Sequence, residues 1–108
     1  MPTQIQRSAP ASQVAFATSV AASETICLST SAAFAVVVPA ETTSTTIQWY
    51  ASHRDEGPYY PVTLSSGNNA TTAVVAGRVY IAPPELFACM FVRGVAGTAF
   101  TGVVMAKT

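Results

Sequence analysis

The sequence is a succession of short runs in which apolar residues alternate with small or polar ones, each cut off by a turn signal, so no stretch is long enough for an amphipathic helix. Gln13 to Thr18 sets Val14 and Phe16 on one face, and Glu24 to Ser29 does the same with Ile26 and Leu28. Ala32 to Val38 is a continuous apolar run closed by Pro39, the pattern of a central strand covered on both faces. Thr46 to Ser52 alternates again, with Ile47, Trp49 and Ala51 on one side and Gln48, Tyr50 and Ser52 on the other. Trp49 is expected to anchor the core. The Thr and Val content supports this reading, because β-branched side chains fit a pleated surface better than a helix.

The turn signals order the runs. His53 to Pro58 gathers charge, glycine and proline, as an exposed hairpin connection does, and Tyr59 to Leu64 is its returning strand. Ser65 to Asn69 is a turn of residue types that tolerate left-handed backbone, ahead of a strand at Thr71 to Val75. Arg78 to Ile81 is a short strand stopped by Pro83 and Pro84, and Glu85 to Phe87 suits one helical turn. Ala88 to Arg93 and Thr98 to Ala106 flank Gly94 to Gly97 and read as a hairpin. The expected fold is all-β: a single antiparallel β-sandwich, jelly-roll-like, over residues 12–108. Residues 1–11, polar and carrying Pro2 and Pro10, are expected to form a short flexible N-terminal arm.

With 108 residues the chain is long enough for one core and too short for two. Half of it is hydrophobic and only 9% charged, against about a quarter in an ordinary soluble domain, and the net charge is zero. Little electrostatic repulsion keeps copies apart, which favours association between neutral surfaces and a homo-oligomer. Arg7, Arg54, Arg78, Arg93 and Lys107 are scattered singly, so no basic stripe invites nucleic acid. No apolar run is of membrane-spanning length, and Met1 to Arg7 lacks the pattern of a secretory signal, so synthesis in the cytoplasm is the expectation. Cys27 and Cys89 both lie in apolar, strand-like runs, which favours two buried thiols over an inter-strand disulfide, the alternative if their strands are neighbours.

Reactive constellations are scarce. His53, Arg54, Asp55 and Glu56 are consecutive on one loop, and such side chains do not converge on a point; with a single histidine, no three-ligand metal site is expected. Asp55 and Glu56 point apart on an extended backbone, whereas glycoside hydrolysis needs two carboxyls across one bond. Cys89, among Phe87, Met90, Phe91 and Val92, has surroundings that raise a thiol pKa and make it inert. Ser65 and Ser66 lack a nucleophile elbow, and the isolated glycines form no phosphate loop. No catalytic residue, cofactor or metal is expected. Trp49, Tyr50, Tyr59 and Tyr60, on adjacent strands, suit either a stacking platform for a sugar ring or a core and interface role; the latter, with Trp49 and one of Tyr59 or Tyr60 in the core, is favoured.

Ile47-Gln48-Trp49-Tyr50-Ala51-Ser52, the loop Asp55-Glu56-Gly57 and Tyr60-Pro61-Val62 form one half of a further pattern. The other half is Ala76-Gly77-Arg78-Val79-Tyr80, Pro83-Pro84-Glu85-Leu86-Phe87 and Phe91-Val92-Arg93-Gly94. Over roughly Thr45 to Lys107 the chain resembles small β-sandwich virion structural proteins of tailed bacteriophages, and departs from them with His53 and Arg54 in the turn and with the Cys89-Met90 pair. The resemblance implies a capsid cement or decoration protein on the virion surface, with the major capsid protein and copies of itself as partners. It implies an interface drawn from Arg54, Asp55, Glu56, Tyr50, Tyr60 and Arg93, with the glycines near Gly57 and Gly94 to Gly97 at the contact and the arm ordered on the shell. The alternative is a glycan- or receptor-binding module of a tail or fibre, using Tyr50, Tyr59 and Tyr60.

Overall fold

The computed structural model describes residues 11–28, 33–83, 86 and 88–107. Among these residues nine strands follow in order: β1 (Ala11–Phe16), β2 (Ile26–Cys27), β3 (Ala33–Val37), β4 (Thr45–Ser52), β5 (Tyr60–Pro61), β6 (Thr71–Val74), β7 (Val79–Ile81), β8 (Phe91–Ala96) and β9 (Phe100–Lys107). They pair as nested antiparallel partners: β1 with β9, β2 with β8, β3 with β7, and β4 with both β5 and β6. The chain is thus one long hairpin with His53 to Pro58 at its tip. That hairpin is rolled so that β9 also pairs β3 and β8 also pairs β4. Rolling splits it into a four-stranded sheet, β1-β9-β3-β7, and a five-stranded sheet, β2-β8-β4-β5 with β6 also on β4. This is the strand order of a jelly roll, and the two sheets pack face to face as a β-sandwich.

The core between the sheets is filled by the residues that alternation places there. Trp49, 1% exposed, stands edge-on to Phe16 and Phe34 of the opposite sheet, with ring centroids 6.2 and 5.9 Å away. Phe16 stacks in turn on Phe100 at 4.9 Å. The indole N–H donates to Thr72 Oγ1 at 3.0 Å, so the one polar atom of Trp49 is satisfied. A Cβ on Gly94, opposite Trp49 in the ladder, would stand 2.6 Å from the Phe16 ring; the missing side chain makes room for that ring.

That packing corrects the expected hairpin at Gly94 to Gly97. Gly94 lies inside β8, the bend falls at Gly97 to Ala99, and β8 and β9 are not paired: they belong to different sheets. Gly94 is buried, and so is Gly57 at the tip. Three other readings change. Tyr59 to Leu64 shrinks to Tyr60–Pro61, followed by a Thr63–Asn69 bridge closing the turn at Gly67. Cys27 faces outward, as its neighbour Ile26 points in; Cys89 is half-buried, and no disulfide joins them. The inner face of β3 is buried at Phe34 and Val36; on its outer face Ala35 is buried as well, but Val37 only half-buried, so the strand is less deeply covered than expected. The expected arm falls mostly on residues outside those described; its last residue, Ala11, already opens β1. The expected helical turn at Glu85 to Phe87 also lies outside them, apart from buried Leu86.

Candidate interaction surfaces

Two surfaces stand out, one at the hairpin tip and one on a sheet face. At the tip, Gly57 takes φ +90°, which a side chain would strain, and its N–H donates to the Arg54 carbonyl at 3.1 Å. The Arg54 N–H donates to Ser52 Oγ at 3.1 Å, and the Tyr59 hydroxyl donates to the Asp55 carbonyl at 2.8 Å. Arg54 and Glu56 form an exposed ion pair at 3.5 Å, worth little in free energy. Behind the tip, the Arg93 guanidinium lies 4.2 Å over the Tyr59 ring. Its Nε donates to Thr25 Oγ1 at 2.8 Å and its terminal N–H to the Val20 carbonyl at 3.0 Å.

The fold therefore gathers the expected interface residues at one end of the five-stranded sheet. Arg54, Asp55 and Glu56 are exposed on the tip; Tyr60 is 65% exposed on β5; Tyr50 and Arg93 are half-buried cross-strand partners. The Arg93 side chain is occupied within the domain, holding the β2 approach and the tip together. Of the aromatics expected in the core, Trp49 is there, whereas Tyr59 is half-buried beneath Arg93 and Tyr60 faces solvent. The ring pairs found among the described residues join Phe16, Phe34, Trp49 and Phe100, and none involves a tyrosine.

Reactive groups stay apart. Among the described residues no hydrogen bond or ion pair links His53 to Cys89 or to a carboxylate, and no group of three or more His, Cys, Asp or Glu is placed to hold a metal ion. Burial against the core pushes the Cys89 thiol above its ordinary value, which suppresses the thiolate at neutral pH. No helix among the described residues is long and apolar enough to cross a membrane.

The second surface is the outer face of the four-stranded sheet. Cross-strand pairing lines up Met105, Ala35 and Ile81 in one row and Val103, Val37 and Val79 in the next. None of the six is ionisable; Ile81 is 75% exposed, Val79 54% and Met105 40%, while Val37 and Val103 are half-buried and Ala35 is buried. The five-stranded sheet instead turns Thr46, Gln48, Tyr50 and Arg93 outward. The apolar face was not anticipated, although its signal stands in the sequence. In Ala33–Val37 and Val103-Val104-Met105 both alternate sets are apolar, and a single sandwich layer can cover only one of them. Comparison with protein-family models, curated proteins and solved structures finds no match for the chain.

Proposed function

We propose that the chain is a non-enzymatic virion structural protein, a capsid cement or decoration protein that docks on the shell of major capsid subunits and stabilises it. The observation that carries this reading is the pair of apolar rows that β9, β3 and β7 turn outward, Met105-Ala35-Ile81 and Val103-Val37-Val79, on a domain of zero net charge. Such a face is costly in water and is stabilised by a cover. Every apolar square ångström removed from water at a subunit junction contributes roughly 25 cal/mol, and many copies multiply a modest contact over the shell. The bound state opposes dissociation by mass action, and no bond is made or broken. The jelly roll is an architecture of capsid and lectin domains, which supports the reading as analogy of fold.

The tip supplies the second contact in this scheme. Its exposed charges at Arg54, Asp55 and Glu56, held in place by Tyr59 and Arg93, set orientation while the apolar face provides affinity. The test uses an antibody against the purified chain on virus particles from its source, with particles stripped of the chain measured for heat resistance before and after it is added back. Label at regular shell positions with restored heat resistance is expected. Label confined to tails, or protein found only as a cytosolic monomer, overturns the proposal.

A further inference from the structure

The four-stranded sheet ends in two edge strands that the chain treats oppositely. Along β1, the Ala15 N–H donates to the Glu24 carboxylate at 2.6 Å and the Ala17 N–H to Ser23 Oγ at 3.1 Å, while the Ala15 and Ala17 carbonyls accept from Glu24 and Ala96. At Ala15 and Ala17 that edge is closed by the chain itself. On the other side, the Val38 N–H donates to the Arg78 carbonyl and the Ala82 N–H to the Phe34 carbonyl. In an antiparallel ladder this phase turns the backbone groups of Arg78, Tyr80 and Ala82 toward β3 and those of Val79 and Ile81 away from it. Among the described residues nothing pairs with the N–H or C=O of Val79 or Ile81. The side chains beside these open groups are the most exposed large aliphatic ones among the described residues.

We infer that β7 is a self-pairing edge, through which two copies of this chain join their four-stranded sheets about a two-fold axis at Tyr80. The register is what argues for a second copy as the occupant. An antiparallel strand centred on Tyr80 sets Val79 opposite Ile81 of the second copy, and each pair exchanges both N–H···O=C bonds. Apolar meets apolar at both pairs. Arg78 falls beside Ala82 of the second copy rather than beside the other Arg78, so no like charges meet, and the zero net charge adds no general repulsion. The rows of the outer face then run on across the axis: Met105, Ala35 and Ile81 continue into Val79, Val37 and Val103 of the second copy. Gly77, at φ 73°, and Pro83 close the strand at three residues, so the pair is weak in isolation and gains strength from repetition. The inference rests on the contact-protein reading for why an open edge is kept, but needs no shell to operate.

The test needs only the purified chain. Sedimentation velocity and residue-resolved amide exchange are followed across a concentration series, for the unaltered protein and for Ile81→Lys and Ile81→Pro. Proline at this position removes an outward N–H and leaves the β3 ladder intact. A dimer is expected to grow with concentration, with the Val79 and Ile81 amides gaining protection as it does. Each variant is expected to weaken the association about tenfold with an unchanged melting temperature. A chain that stays monomeric up to about millimolar concentration overturns the inference. So does protection independent of concentration, which would put another segment of the same chain on the edge, and so does a dimer whose Val79 and Ile81 amides exchange freely. Failure here leaves the shell reading standing, and failure to label virus particles leaves this one standing.

Discussion

The inner and outer faces of the four-stranded sheet share much of their composition, yet the inner face is far more deeply buried among the described residues. Phe34, Val36 and Val104 look inward onto Trp49 and the five-stranded sheet and are almost wholly buried. Ala35, Val37, Val103 and Met105, interleaved with them on the same strands, look outward; Ala35 is buried between its neighbours, Val37 and Val103 are half-buried and Met105 is exposed. Equal apolarity therefore does unequal work. Inside, it supplies the transfer free energy that holds the sandwich together; outside, at Met105, Val79 and Ile81, it stays exposed and contributes little to the folded monomer. The five-stranded sheet makes the contrast sharper, since its outward set includes Thr46, Gln48 and Arg93.

The largest effect should come from the interior. Trp49→Ala deletes the ring that joins the two sheets and should cost about 3–5 kcal/mol, a large part of the roughly 5–15 kcal/mol that stabilises a domain. Chemical denaturation followed by tryptophan-independent circular dichroism measures it. A loss below about 1 kcal/mol would mean that the inner face is not what holds the fold, and the contrast between the faces would fail.

A smaller effect is expected at the guarded edge. Glu24→Ala leaves the Ala15 N–H without its carboxylate acceptor; water can replace it at this exposed site, so the stability loss should be about 1 kcal/mol. The more telling consequence is association. With β1 opened as well as β7, each copy would have two pairing edges, and light scattering should report species larger than the dimer. Dimers alone would show that Ser23 and the loop backbone suffice to close the edge.

The sequence shows most of this fold and little of its surface. Alternation around Ile47, Trp49 and Ala51 placed the core, and the charge-rich segment from His53 to Pro58 placed the tip, because both signals are local. The jelly-roll arrangement was legible as a class, from many short strands with turns between them. The bend after β8 was misread because a glycine-bounded gap looks the same whether the chain returns to its neighbour or crosses to the other sheet. Only the Phe16 ring, far away in sequence, explains why Gly94 is a strand residue. The interface residues Arg54, Asp55 and Glu56 were readable as exposed, but the bond of Arg93 to Thr25 and its seat over Tyr59 were not, since they depend on which strands become neighbours. The apolar outer face is harder to read: two-faced apolarity in Ala33–Val37 suggests a strand covered on both sides, and the pattern alone does not tell which side the fold itself covers.

Ile81→Thr should have the smallest effect on folding and the clearest meaning. The side chain is 75% exposed at an edge, threonine keeps the β-branched shape that strands favour, and the folded monomer has little contact to lose, so stability should move by no more than about 0.5 kcal/mol. A hydrophobic dye that fluoresces on apolar surface should bind the variant more weakly in the same samples. Urea titration and dye binding together separate the two roles of an aliphatic side chain. Unchanged stability with reduced dye binding places Ile81 in the service of a partner, whereas a loss of stability comparable to that of a buried isoleucine would show that the outer face is already covered within the monomer.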